Sequence, residues 1–180
     1  TFLSNHPNSS FEQACKDKID SLDYVDALSA NTVEALQMYV NSHPDGKYVD
    51  EAEQAQTNIA SMKVQPAEAS TIKSVCSQFF TSLANKDEAS LTSTVAAVMD
   101  NFLNKHNATH SDVIVFANKL TAEMHNAVFT INNDYKIRKV KTDTDAFSFD
   151  VTFSVDGNAS THDGQEKVIT YFVTARINPD

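Results

Sequence analysis

Six histidines and two cysteines are the residues of this chain best suited to ligate a metal or attack a substrate. Their spacing argues against both roles. His106-Asn107-Ala108-Thr109-His110 is the one close pair and flanks a loop, whereas zinc sites take three or four ligands, so two solvated loop histidines are expected. His6, His43, His125 and His162 are scattered over loops and helix ends. Cys15 and Cys76 are too far apart for a CxxC motif, and both fall on apolar helical stripes. Two buried thiols are favoured over a bridge, since free Cys is among the most buried residue types. Asp17, Asp20, Asp23 and Asp26 recur every three residues, which reads as a solvated helix face rather than a calcium site or a surface for a basic partner. No catalytic residue, metal site or cofactor is assigned on these grounds.

Charge narrows the partners. Lys and Arg total 14 against 24 Asp and Glu, a formal net of −10, so phosphate backbones are repelled and nucleic acid is excluded as a partner. The one dense basic stretch, Lys136 to Lys141, alternates charged and apolar residues as a strand with one wet face does. No apolar run reaches the roughly 20 residues that span a bilayer. The chain begins at Thr1 rather than Met, so the absence of a signal segment or span from these residues says little, and membrane association is expected only through an upstream anchor. A 41% hydrophobic and 21% charged composition is that of a chain that folds.

The elements that must position these groups are read from periodicity. Residues 1–10 form a polar leader. Phe11, Cys15, Ile19, Leu22 and Val25 place an apolar stripe on a first helix, opposite the acidic residues. Asn31 or Thr32 caps a second helix bearing Val33, Leu36, Tyr39 and Val40, and His43-Pro44-Asp45-Gly46 breaks it. A third helix starts near Tyr48, where the small Ala52 and Ala55 admit a close neighbour. Gln65-Pro66 marks the boundary between a helical segment, 11–65, and a domain over 66–180. The apolar face of the segment, with Leu36, Tyr39, Tyr48 and Ile59, is expected to close within the hairpin and partly against that domain.

In the domain Ile72, Val75, Cys76, Phe79, Phe80 and Leu83 predict a helix. Leu91, Val95, Val98, Met99, Phe102 and Leu103 predict a second, and Ser111-Asp112 caps a third that holds Val113, Phe116 and Leu120. Strands are predicted at 128–131, 135–141, 146–155 and 167–177, the third alternating Phe147, Phe149, Val151, Phe153 and Val155 with polar residues. Turns are expected at Asn132-Asn133-Asp134, at 142–145, and from Asp156-Gly157 through Asp163-Gly164. Helices succeeded by an antiparallel meander define an α+β domain.

Tyr39, Pro44, Gly46, Tyr48 and Ala52 fit a YxxxxPxGxYxxxA core, and in this the segment resembles the tetratricopeptide-like hairpins of bacterial envelope proteins. Solenoids need three or more such repeats. From residue 67 onward, three helices and long strands, with Ile131-Asn132-Asn133-Asp134-Tyr135-Lys136-Ile137, Phe149–Val155 and Tyr171-Phe172-Val173-Thr174-Ala175, resemble the nuclear transport factor 2-like, cystatin-like cone fold as found in Bacteroidetes envelope proteins. That resemblance implies a bent sheet closed by helices, displayed in the periplasm or envelope. The superfamily holds both isomerase-like or hydratase-like enzymes and binding domains, so the site must decide.

The enzymes of that fold place an acid or base inside the cone, and the inward register of the third strand here is Phe and Val. A non-enzymatic binding or assembly domain is therefore the leading expectation. An enzyme using the cone, with His125 or Asp134 turned inward, and a fragment of a helical-repeat scaffold are the alternatives. Tyr135, Phe149, Phe153, Tyr171 and Phe80 are the candidate ligand-binding residues; they either fill the cone, the favoured reading, or line a cavity for a small apolar ligand. A protein partner or a homodimer is also compatible with these features.

Overall fold

The computed structural model describes residues 2–6, 8–160 and 166–179. The chain divides into two compact units, Thr1–Lys63 and Val64–Asp180. Unit 1 is helical. A single turn, α1 (Phe2–Asn5), interrupts the expected polar leader. After it come α2 (Glu12–Ala30), α3 (Val33–Ser42) and α4 (Val49–Ser61). Thr32 caps α3 by accepting a 3.2 Å hydrogen bond from Ala35 N, and Asn31, in the left-handed region, ends α2. Leu36, Tyr39, Ala27 and Ala52 form the buried centre, with Tyr24, Tyr48 and Ile59 packed on it.

That centre overturns the expected orientation of α2. Phe11, Ile19, Leu22 and Val25 are exposed, Phe11 to 64% and Val25 to 54%, whereas Asp20 is only 8% exposed. At 3.6 residues per turn, Asp20, Tyr24 and Ala27 lie on the side of α2 opposite Phe11, Leu22 and Val25. Cys15, on the outward side, is half-buried instead of buried. Periodicity locates an apolar stripe but not the direction it faces.

Unit 2 begins with α5 (Pro66–Asn85), where Pro66 occupies the first turn and Gln65 and Glu68 form a reciprocal capping box. Next come α6 (Glu88–Ser93), the hairpin β1 (Val98–Phe102) and β2 (Lys105–Thr109), then α7 (His110–Glu123). The helix expected across 91–103 is thus a short helix and a strand. The hydroxyls of Thr92, Ser93 and Thr94 bond back to the carbonyls of Glu88, Ser90 and Leu91 in α6, a local alternative to continuing the helix. Leu103 turns the hairpin at φ 55°, a conformation leucine rarely adopts. Met99 and Phe102 nevertheless pack on the core of Leu83, Leu91, Val113 and Ala117, whereas Val98 and Leu103 of the same repeat are exposed. The cap of α7 is Thr109, paired reciprocally with Asp112, slightly earlier than expected.

Four strands complete the unit: β3 (His125–Ile131), β4 (Lys136–Lys141), β5 (Phe147–Ser160) and β6 (Glu166–Ile177). They form a curved antiparallel sheet. β5 is its spine, with β3 on its second half and β4 on its first half along one side, and β6 along the other. Asp156-Gly157 is not a turn but strand, and Asp163-Gly164 lies outside the described residues. Gly157 serves close approach: a Cβ there would sit 2.9 Å from Tyr171 Cε2 and 3.2 Å from Phe129 Cε1. Ile72 and Cys76 of α5 cover Phe149, Val151, Phe153 and Val155 of β5.

Candidate functional site

In unit 1 the polar residues converge behind α2. Asp20 accepts a 2.6 Å bond from the Tyr39 hydroxyl through Oδ1 and a 3.0 Å bond from Lys47 N through Oδ2. The Tyr39 oxygen in turn accepts from Tyr48 N at 3.3 Å. Burial together with the neighbouring Asp20 carboxylate pushes the Tyr39 hydroxyl up to about 12, so it stays a donor. His43 stacks on the Tyr39 ring at 5.2 Å and places Nε2 2.7 Å from Asp23 Oδ2. Gly46 completes the arrangement, since a Cβ there would lie 2.5 Å from Asp20 Oδ1 and 2.8 Å from the Tyr39 oxygen. A cleft of about 570 Å³ opens beside these groups, between Lys16, Asp17 and the His43–Tyr48 turn.

The network's chemistry is structural. A buried carboxylate costs little only when its oxygens are hydrogen-bonded, and Asp20 meets that condition only if α2 turns its polar side to α3. The acidic face expected to be solvated is therefore split: Asp17, Asp23 and Asp26 are exposed, Asp20 is not. On the outside of α2 lie Leu22 and Val25, with Ile19 and Leu28 at the borders and Phe11 three turns earlier, beyond Lys18; these apolar side chains are all exposed. Residues 1–63 hold four lysines and ten Asp or Glu, a net of −6, and Asp23 and Asp26 border the stripe.

In unit 2 the candidate ligand residues separate. Phe149 and Phe153 are buried at the centre of the core, with Phe80 and Tyr135 packed against it. Tyr135 stacks on Phe153 at 4.7 Å, and Phe80 meets Phe153 edge-on at 6.0 Å. Tyr171 stands apart on β6, its hydroxyl 3.5 Å from Met124 Sδ. Burial, above all, pushes the Cys76 thiol up to about 11 and the Tyr135 hydroxyl to about 12.

The remaining sequence candidates have structural partners of their own. Asp134 accepts from Ser154 N and Ser154 Oγ, both at 2.8 Å, which holds its carboxyl below the usual Asp range. Asp150 is clamped by Arg176 and Arg138, at 2.8 and 2.6 Å, with the same effect. The wet-face reading of β4 holds for Lys136 and Arg138 but not for Lys139, whose nearly buried ammonium meets Glu68 at 2.7 Å and lies over the Phe147 ring at 4.5 Å. His106 and His110 do not share a loop: His106 is on β2, and His110 opens α7 with Nε2 3.2 Å from Val95 O. His162 lies outside the described residues, as does the side chain of His125. Among the described residues no group of three His, Cys, Asp or Glu is arranged to hold a metal ion. No helix among them is long and apolar enough to cross a membrane.

No protein family, curated protein or solved structure matches this chain.

Proposed function

We propose that this protein is a non-enzymatic binding or assembly domain, and that α2 carries its recognition surface. The exposed apolar side chains of Phe11, Leu22 and Val25 support the reading most directly. Burying one such side chain is worth about 1.5–3 kcal/mol, and neighbouring exposed apolar side chains such as Leu22 and Val25 are the kind of surface that interaction sites use. The partner suggested is an amphipathic helix with Lys or Arg beside its apolar face. Its apolar residues, at i, i+3, i+4 and i+7, would lie along the stripe. Its cations would meet Asp23, Asp26 and the net −6 of residues 1–63.

Unit 2 is, on this reading, a nuclear transport factor 2-like domain, supported by its helices packed on one face of a curved antiparallel sheet. Display in the bacterial periplasm or envelope is supported by the Tyr39, Pro44, Gly46, Tyr48, Ala52 motif and its likeness to envelope hairpins. The binding role is tested by titrating a labelled, Leu-faced and Arg-flanked helical peptide against the full chain. Leu22→Asp should weaken binding at least tenfold, and a Glu-flanked peptide should not bind. Equal affinity for both peptides would refute the surface.

A further inference from the structure

β6 is the outermost strand of its sheet, and its charged residues, Glu166, Lys167 and Arg176, sit only near its two ends. Its 12 residues hold an unshifted register on β5 from Glu166 to Ile177, without proline or bulge. Natural edge strands are commonly protected by prolines, bulges or inward-pointing charges. Here the row on the core side begins with an exposed Lys167, and its other members, Ile169, Tyr171, Val173, Ala175 and Ile177, are apolar and at best half-buried, although Val151, Phe153 and Val155 next to them on β5 are buried. The opposite row carries Phe172, at 87% the most exposed large hydrophobic residue among those described, together with exposed Val168. Main chain and side chains are thus both left open along this edge.

We infer that β6 pairs antiparallel with β6 of a second copy of this chain, about a two-fold axis through Phe172, so that two sheets become one. In that register Phe172 faces Phe172 of the second copy, Thr170 faces Thr174, Val168 faces Arg176, and Tyr171 faces Val173 on the core side. Glu166 falls diagonally beside Arg176 of the second copy, and no like charges are opposed. Aromatic, Thr–Thr and opposite-charge neighbours are the cross-strand pairs that stabilise antiparallel sheets. A two-fold contact that uses one patch twice is also the commonest way a soluble chain closes an oligomer. A strand from another protein would find the same backbone groups, but only a second copy supplies this matched repetition. The surface lies in unit 2 and is independent of the stripe on α2.

Sedimentation velocity of the full chain across the micromolar range tests the pairing. The wild type should show a concentration-dependent dimer. Thr170 and Thr174 are exposed on the row away from the core, and the one side-chain contact at stake, Thr170 Oγ1 donating to Asp156 Oδ1 at 2.6 Å, is one that a lysine ammonium at 170 can replace. Thr170→Lys with Thr174→Lys sets lysines opposite one another in this register and should raise the dimer Kd at least tenfold. Thr170→Lys with Thr174→Glu sets opposite charges together and should restore dimerisation. Circular dichroism confirms that both variants are folded. A wild type that stays monomeric throughout would overturn the inference, as would two variants that dimerise alike.

Discussion

The Tyr39 hydroxyl donates to Asp20 across the interface of α3 and α2, at 2.6 Å and with both residues buried. This contact determines which side of α2 faces inward. Tyr39→Phe keeps the ring and removes the donor, leaving a buried carboxylate oxygen unsatisfied. The expected loss is about 1–3 kcal/mol of unit 1 stability. Hydrogen exchange of the α2 and α3 amides in the full chain measures it; unchanged protection would show that the bond is dispensable.

Gly157→Ala is expected to destabilise unit 2 by about 1–3 kcal/mol, the usual cost of overpacking. The added methyl meets Tyr171, Phe129 and Met124, with contacts of 2.9–3.3 Å. Denaturant unfolding, read at the β5 and β6 amides, measures this directly, and a neutral variant would mean that those side chains yield freely.

The acid side of the stability profile should depend on Asp134 and Asp150. Hydrogen bonds from Ser154 N and then Ser154 Oγ lower the first, and hydrogen bonds from Arg176 and then Arg138 lower the second. A carboxylate with a depressed folded pKa contributes stability above its unfolded pKa of about 3.9, and that contribution is lost as pH falls through the folded value. The stability gap between wild type and Asp134→Asn or Asp150→Asn should therefore be constant near neutrality and narrow below about pH 4. A gap that does not change with pH would contradict the assignment.

The two thiols should differ in reactivity. With its thiol pushed up to about 11, Cys76 holds little thiolate at pH 8, on the order of one part in a thousand. It is also buried, whereas Cys15 is half-buried on the outward side of α2. Iodoacetamide labelling with peptide mapping should modify Cys15 first and Cys76 only on unfolding. Equal rates would mean that α5 does not cover Cys76 in solution.

Much of this architecture is legible in residue pattern. The Phe147 to Val155 alternation marks a half-buried strand, and Pro66 with the apolar repeat after it marks α5, because each pattern fits one period only. Residues 91–103 mislead because Met99 and Phe102 are three apart, a spacing shared by a helix and an irregular strand, and the turn at Leu103 uses no glycine. Three consecutive hydroxyl residues, Thr92 to Thr94, are the available signal for a helix end. Asp20 is hidden among four evenly spaced acids, three of which are solvated as expected. The combination that singles it out, a buried Tyr39 donor and a Gly46 too close for any side chain, joins residues up to 26 positions apart. Asp156-Gly157 reads as a turn because glycine permits turns, but here glycine permits an aromatic ring to approach the backbone.

Recognition through the outward face of α2 is tested most directly by an NMR titration. Addition of the Leu-faced, Arg-flanked helical peptide to the isotope-labelled full chain should shift the amide and methyl signals of Ile19, Leu22, Val25 and Leu28, and added salt should weaken the effect as screening of Asp23 and Asp26 requires. The inward residues Leu36 and Ala52 should stay unmoved. Shifts confined to the sheet of unit 2, or no shifts at all, would contradict the claim that α2 is the recognition surface.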